Sequence, residues 1–384
     1  MQDRKGLKNR GYSREDVDDR RRAVEEFAGV KFSYIQDCGF DPESASKNIE
    51  NMIGVTQIPL GFAGPVKING EFAKGDFLVP MATTEGALIA SVSRGMSVIT
   101  KSGGAEVRIF NDAITRAPVF KTDNLKHCID TMAWIDSNTD ALKAVVKETT
   151  SHGELESIDK YPAGRNLFLR FSFRTGDAMG MNMATIASEA ACRFIEKNTG
   201  AVLVSVSGNM CSDKKPAAIN LINGRGKTTV AEVLIPEEIV KTVLRTDASS
   251  IEEVNISKNL IGSSMSGTLG ANAHAANMAA AVFIATGQDP AQVVGCSMAL
   301  TFCENINGDL YVSVRIPVIE VGTVGGGTRL PFQSEALKMI GCIGDGKAKK
   351  LAEIIAVTIL AGEISTLAAQ ATGQLGSAHA QLGR

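Results

Sequence analysis

Aromatic residues are scarce in this chain, 5% of 384 with a single Trp, so stacking platforms for single-stranded nucleic acid are not expected. An excess of one charge is lacking too: 40 Lys and Arg against 42 Asp and Glu leave a formal net charge of −2. No basic block marks a nucleic-acid surface and no acidic tail appears. Histidine occurs only four times. No HxH or HxxxH spacing is present, so no metal site is expected. The seven cysteines (Cys38, Cys128, Cys192, Cys211, Cys296, Cys303 and Cys342) never form a CxxC pair. An odd, scattered set in a long chain is not a disulfide scaffold, and a reducing cytoplasm fits it best.

Long apolar runs are missing as well. The longest, Met278 to Ala285, is eight residues, far short of the ~20 that a membrane-spanning helix needs. The first residues, MQDRKGLKNRGYSREDVDDRRR, are charged throughout. Neither a signal peptide nor an anchor is expected there. The absences together leave a cytoplasmic globular chain with no membrane and no nucleic-acid partner.

What is present is glycine, 38 residues of it, and an ordinary 44% of apolar residues. At roughly 150 residues per domain, two or three domains are expected. Residues 1–53 read as a helical N-terminal segment. Ser13 or Asp16 starts a helix, and Val17, Ala23, Val24 and Phe27 form its apolar stripe. That segment is a packing or dimerisation cap. From Ile53 the texture changes to Gly, Pro and β-branched residues, and KINGEF predicts a hairpin with Asn69-Gly70 at the turn centre. A helix is expected from Thr83 or Thr84 to Gly103-Gly104.

Residues 118–206 alternate strand-like runs (PVFK, NLFLRFSF, AVLVSVSG) with helical ones, Asp123 to Met132, Thr139 to Lys147 and Met183 to Lys197. This is an α+β pattern and a small inserted domain. Residues 54–117 and 207–384 make the larger α/β body. Within it, Ser263 to Ala285 is uncharged and rich in small residues, which predicts a central buried helix. Lys347 to Gln370 reads as a long amphipathic helix.

Two familiar nucleotide motifs fail. GRGKTT at 224–229 ends like a P-loop, but Leu221 stands where the first glycine is required. No GxGxxG occurs, so a standard Rossmann site is not supported. Four other segments place polar residues among small apolar ones. VPMATTEGALIA puts Glu85 at a helix start, where an acid also simply complements the helix dipole. TGDAMGMNMA follows a strand and precedes a helix, a place for a phosphate or ribose, or a plain turn capped by Asp177. SVSGNMCSDKKPAAINLINGRGK packs Ser207, Asn209, Asp213, Lys214 and Lys215 into nine residues. Two lysines beside an Asp and a Ser suit a carboxylate site with one lysine left for chemistry, and a solvated loop is the alternative. IEVGTVGGGTRLP runs a strand into Gly325, Gly326 and Gly327, whose amides can face an anion.

Taken together these segments resemble 3-hydroxy-3-methylglutaryl-CoA (HMG-CoA) reductase. The similarity runs in order through ENMIG, IPLGFAGP, PMATTEG, GDAMGMN, SGNMCSDKKPAAIN, VNISKNLIGSSMSG, NAHAANM, GQDPAQ and VGTVGGGT to His379, about residues 49–384. The SDKKPAAIN form resembles the class of eukaryotes and archaea. The resemblance implies an α+β protein with a large CoA- and HMG-binding domain, a ferredoxin-like cofactor domain inserted at 118–206, and at least a homodimer, or a dimer of dimers, with the site between subunits.

It also implies roles. Glu85, Lys214, Asp289 and His379 match the catalytic set. Arg116, Ser207, Asp213, Lys215, Lys258 and Asn277 match positions that hold the HMG group or line the site, and Arg94 and Arg245 match basic positions near CoA phosphates. Asp177, Ala178, Met179, Gly180, Met181 and Asn182, with Gly325, Gly326 and Gly327, match the cofactor site. In eukaryotic members an arginine near the cofactor's 2′-phosphate follows a Ser. Here the stretch reads Thr150-Ser151-His152. Thr150 and Ser151 remain cofactor candidates, and Arg384 can substitute for the arginine.

The implied reaction reduces (S)-HMG-CoA to (R)-mevalonate and CoA with two NADPH, rather than NADH, in the mevalonate pathway to isoprenoids. Lys214 stabilises an oxyanion, His379 protonates the departing thiolate, and Glu85, its pKa raised by burial, protonates the final alkoxide. Asp289 lies beside Glu85 and Lys214 and couples them. Statins are expected to occupy the same site. Two other readings are the reverse, degradative oxidation of mevalonate with NAD and CoA, and a CoA-binding module without catalysis.

Overall fold

The computed structural model describes residues 11–373. The expectations placed on His379 and Arg384 lie outside these residues. Helix α1 (Arg14–Ala28) begins as the sequence predicts. Ser13 caps it and Asp16 reciprocates, closing a capping box. Its apolar stripe is only half used: Val17 is buried, whereas Phe27 is 79% exposed.

Strands β1 (Leu60–Gly70) and β2 (Lys74–Ala82) form the expected hairpin, but its turn is displaced. Asn69 pairs with Lys74, and Gly70 N–H closes the loop on the Ala73 carbonyl at 2.8 Å. The cause is a carboxylate from far away. Glu353 accepts from the amides of Glu71, Phe72 and Ala73 at 3.2, 2.9 and 2.6 Å. A turn wrapped round an acceptor outcompetes a local Asn-Gly preference worth less than three charge-assisted hydrogen bonds.

Helix α2 (Leu88–Lys101) starts later than expected, because Ala87 is left-handed at φ 69 and breaks the backbone. Strand β3 (Ala105–Arg116) follows. Next come β4 (Val119–Lys121), α3 (Leu125–Ser137), α4 (Thr139–Thr149), β5 (Glu154–Ala163), β6 (Asn166–Arg174), α5 (Met181–Thr199) and β7 (Val202–Ser205). The charged strand β5 is absent from the sequence reading. It pairs with β6 as an edge, where Glu154, Glu156 and Lys160 need not be buried. The order here is β7-β4-β6-β5, with all neighbours antiparallel. Phe120, Phe171, Phe173 and Ile195 belong to a core separate from the main one.

The rest comprises α6 (Ala218–Asn223), β8 (Arg225–Ile235), α7 (Ala248–Val254), α8 (Ala275–Thr286), β9 (Leu300–Ile306), β10 (Asp309–Ile319), α9 (Pro331–Met339) and α10 (Ala348–Ala371). Ten strands make one mixed sheet, antiparallel apart from the β1–β3 ladder among the named strands. Strand β3 is its hinge: Glu106 to Ala113 pair with β8 and its last residues, Ile114 to Arg116, pair with β6.

The predicted central helix at Ser263 to Ala285 is not continuous. Helix α7 runs on through a π-helical stretch, Asn255–Gly262, to Ser266, where Gly267 at φ 74 ends it. Helix α8 then starts at Ala275. The central buried helix is α10 instead, with 19 buried residues out of 24. Its length and composition would allow it to cross a membrane, but 94% of its apolar window is buried inside the fold. The apparent amphipathicity came from Glu353 and Glu363. Both are buried, and both accept backbone amides.

Candidate active site

Lys214 lies in the loop between β7 and α6. Asn209, Ser212 and Lys214 all adopt left-handed backbone there, at φ 65, 47 and 57. Such conformations cost of order 1–3 kcal/mol each and persist only when neighbours over-determine them. The neighbours are present. Asp213 Oδ1 accepts from Arg225 Nη1 and Gln292 Nε2, each at 3.0 Å, and Asn220 Nδ2 donates to the Cys211 carbonyl at 3.1 Å. Lys214 Nζ meets Asp289 Oδ2 at 2.7 Å. That hydrogen bond raises the Lys214 pKa and keeps the ammonium charged. Burial pushes Asp213 up, but the bonds from Gln292 and Arg225 outweigh it and hold the carboxyl below its ordinary range.

Asp289 caps the short turn Pro290–Gln292, with Oδ1 accepting from Ala291 N–H at 3.0 Å. One oxygen fixes the backbone and the other faces Lys214. Among the described residues no hydrogen bond joins Glu85 to Asp289 or Lys214. Glu85 instead accepts from Asn277 Nδ2 at 3.0 Å. Glu85 is exposed, so this chain alone does not supply the burial expected for it. The reason is local: Glu85 precedes Ala87, outside the buried helix α2.

Asn277 sits in the first turn of α8. Glu363 positions that helix, accepting from Ala273 and His274 amides at 2.7 and 2.9 Å and from Thr301 Oγ1 at 2.8 Å. His274 Nε2 lies 2.6 Å from Thr366 Oγ1.

The candidate cations each have their own local setting. Lys258 projects from the π-helical stretch, with Nζ donating to Asn259 Oδ1 at 2.9 Å, and burial lowers its pKa. π-Bulges are frequent at functional positions. Arg116 ends β3, and its Nε is buried without a hydrogen-bond partner among the described residues. Lys215 Nζ donates to the Asp213 carbonyl at 3.3 Å, and the Ser207 amide donates to Ser205 Oγ at 3.1 Å. Arg94 holds Ser365 through Nε at 3.0 Å. Burial lowers the Arg94 pKa and neighbouring Arg245 lowers it further, so two like charges share one region as if for an anion.

The cofactor candidates converge on a single seam. Asp177 O accepts from Thr323 N–H at 2.8 Å, and a Cβ on Gly322 would sit 2.6 Å from Met179 N. Only glycine permits that approach. The Asp177 carboxylate accepts from Gly346, Lys347 and Ala348 amides at 2.6, 2.9 and 2.9 Å, so it caps α10 rather than facing a ligand. Helix α5 begins at Met181 behind Gly180, φ 91, with no side-chain cap. Ala178 and Asn182 flank that start. Its free amides fit a phosphate. Gly325 and Gly326 have positive φ and open space where a Cβ would lie, so a cofactor can approach their backbone. Thr150 Oγ1 accepts from the His152 and Gly153 amides, and a Cβ on Gly153 would meet Met183 Sδ at 2.5 Å, so Thr150 and Ser151 border the same helix.

Sequence reasoning missed Arg225, Gln292, Glu320 and Glu363. The signal available was a charged residue inside an apolar run: Glu320 closes VRIPVIE and Glu363 interrupts AVTILAGEISTLAA. Such residues stay buried only when paired.

An ammonium fixed beside a carboxylate, and an uncapped helix start beside a glycine loop, suit an enzyme that reacts an anionic substrate with a phosphorylated cofactor. The comparisons are more specific. Residues 16–384 match the family model described as hydroxymethylglutaryl-coenzyme A reductase. The chain is 54% identical over 372 residues to 3-hydroxy-3-methylglutaryl-coenzyme A reductase of Methanocaldococcus jannaschii, covering 95% of this chain and 92% of that one. It is 51% identical over 370 residues to the enzyme of the same name from Haloferax volcanii, with the same coverage. A class II 3-hydroxy-3-methylglutaryl-CoA reductase from Streptococcus pneumoniae, solved bound to NADPH in open conformations, shares the fold. Its TM-score is 0.71 at 18% identity, covering 91% of this chain and 92% of that chain. The chain belongs to the HMG-CoA reductase family and is of the archaeal type. As a member it is an oxidoreductase acting on HMG-CoA, in the mevalonate route to isoprenoids.

Proposed function

We propose that this chain reduces (S)-HMG-CoA to (R)-mevalonate and CoA with NADPH, through Lys214, Asp289, Glu85 and His379. The observation that carries the assignment of roles is the Lys214–Asp289 pair, held at 2.7 Å on a left-handed backbone. The nicotinamide cofactor, used twice, supplies the two hydrides. Met181, Gly180 and Asn182 at the helix start, with Gly325 to Gly327 opposite, hold it, and Thr150 and Ser151 border its site.

The protein's own work is electrostatic and acid–base. Lys214 donates to the oxygen that becomes anionic when the thioester carbon is reduced, a contribution of about 3–4 kcal/mol per donor of this kind. Asp289 keeps that ammonium charged and aimed. His379 protonates the CoA thiolate as the C–S bond breaks, which prevents re-addition to the aldehyde. Glu85, oriented by Asn277, delivers the proton to the final alkoxide. Arg116, Lys215 and Lys258, with Ser207 and Asp213, hold the HMG group, and Arg94 and Arg245 face CoA phosphates. Statins compete for the HMG position.

Residues 118–206 serve as the cofactor domain, supported by the β7-β4-β6-β5 order of a ferredoxin-like fold. Residues 54–117 and 207–384 form the substrate domain, and 1–53 the helical cap. The working form is a homodimer or a dimer of dimers in the cytoplasm. The exposure of Glu85, Lys214 and Phe27 in a single chain supports a second copy covering the site. The test is HMG-CoA-dependent oxidation of NADPH against NADH, read at the absorbance of the reduced cofactor. A strong preference for NADH turns the reading toward mevalonate oxidation, and no turnover with either ends it.

A further inference from the structure

Arg225, the first residue of β8, is 1% exposed and touches three separate parts of the site. Its Nη1 donates to Asp213 Oδ1 at 3.0 Å and also to Glu320. Its Nε donates to Thr115 Oγ1 at 3.1 Å, and its Nη2 to the Thr115 carbonyl at 3.3 Å, one residue before Arg116. Nη2 also approaches Met181 Sδ at 2.8 Å, at the start of α5. Glu320 follows β10, is fully buried in its side chain, and leaves Oε2 without a hydrogen-bond partner among the described residues.

A buried ion pair of this kind does little for stability, since apolar residues of similar volume often replace it at no loss. What it supplies here is geometry. Segments 213–214 and 289–292 are joined by two rungs: Lys214 to Asp289, and Asp213 to Gln292. Arg225 braces the first segment from behind, through Asp213. Glu320 fixes the guanidinium in the one orientation that serves Asp213 and Thr115 together. A lysine, with a single point of charge, cannot hold both.

We propose that Arg225 and Glu320 are positioning residues that hold Lys214 in its catalytic orientation. The inference rests on reading Lys214 as catalytic. Arg225→Lys should lower kcat at least about tenfold while KM for HMG-CoA moves less than about threefold, the pattern of an interaction realised in the transition state. Glu320→Leu should do the same. Glu320→Gln keeps an acceptor for Arg225 and should restore kcat to within about threefold of the parent. Glu353→Gln serves as the control, a buried acid that binds the amides of the Glu71–Ala73 turn and whose change should lower Tm but not kcat. If Glu320→Leu behaves like Glu353→Gln, the pair is merely structural and the proposal fails. This comparison stands even if Arg225→Lys does not fold. Lys214→Ala separates the two readings: an active Lys214→Ala overturns the catalytic assignment itself, whereas an inactive one beside a fully active Arg225→Lys and Glu320→Leu overturns only the bracing.

Discussion

Asn277 Nδ2 donates to Glu85 Oε1 at 3.0 Å, joining the first turn of α8 to the loop ahead of α2 across 192 residues of sequence. The contact fixes one carboxylate oxygen, and under the proposed function the other serves the substrate. Asn277→Ala should therefore lower kcat about tenfold, because a general acid works only within hydrogen-bond reach of its target. Asn277→Asp, which sets a second carboxyl against Glu85, should cost more. Steady-state kinetics on both variants check this. Unchanged kcat in the pair would remove Glu85 orientation from the mechanism.

Gly322 is where the two loops proposed to hold the cofactor touch. A Cβ there would lie 2.6 Å from Met179 N and 2.9 Å from the Asp177 carbonyl. Gly322→Ala should push the 177–182 loop away and raise KM for the nicotinamide cofactor about tenfold, with the HMG-CoA KM little changed, since uniform binding loss appears in KM. Titration of cofactor fluorescence measures it directly.

Glu320 ties stability to pH. Burial pushes its carboxyl up to about 7, with Arg225 opposing the shift and Asp213 and Asp289 adding to it. Cys296, also near, is itself pushed up by burial. A folded pKa raised above the ordinary 4.5 means the stabilisation is complete below that value and is lost as pH rises through about 7. Glu320→Gln does not titrate. Its Tm relative to the parent should climb between those two pH values and level off above. A flat difference across the range would show that Glu320 does not titrate there.

Much of this was legible in the sequence because it is local. Ser13 with Asp16 announces a capped helix, and the helices expected from Thr139 and Met183 follow from periodicity and turns, the second starting two residues earlier, at Met181. The glycine loop at 325–327 and the crowded polar residues 207–215 are visible by composition. The rest depends on long-range partners. Asn69-Gly70 loses the turn centre to Glu353, more than 280 residues away. Ser263 to Ala285 looks like one buried helix until Gly267 and the Ala271–Leu300 bridge divide it. Arg225 appears as part of a failed P-loop, and its meaning emerges only when β8 and β10 bring it to Glu320. An acid in an apolar helix reads as a polar face unless the amides it accepts are known.

The most direct test of the whole account is Lys214→Ala, assayed by single-turnover reduction of HMG-CoA with cofactor and substrate binding measured in parallel. The account predicts binding within a few-fold of the parent and a fall in the reductive step of about 10² or more, the loss expected of a missing oxyanion donor. The parent is expected to consume two reduced nicotinamide cofactors per mevalonate formed. Retention of parental turnover by Lys214→Ala would contradict the account.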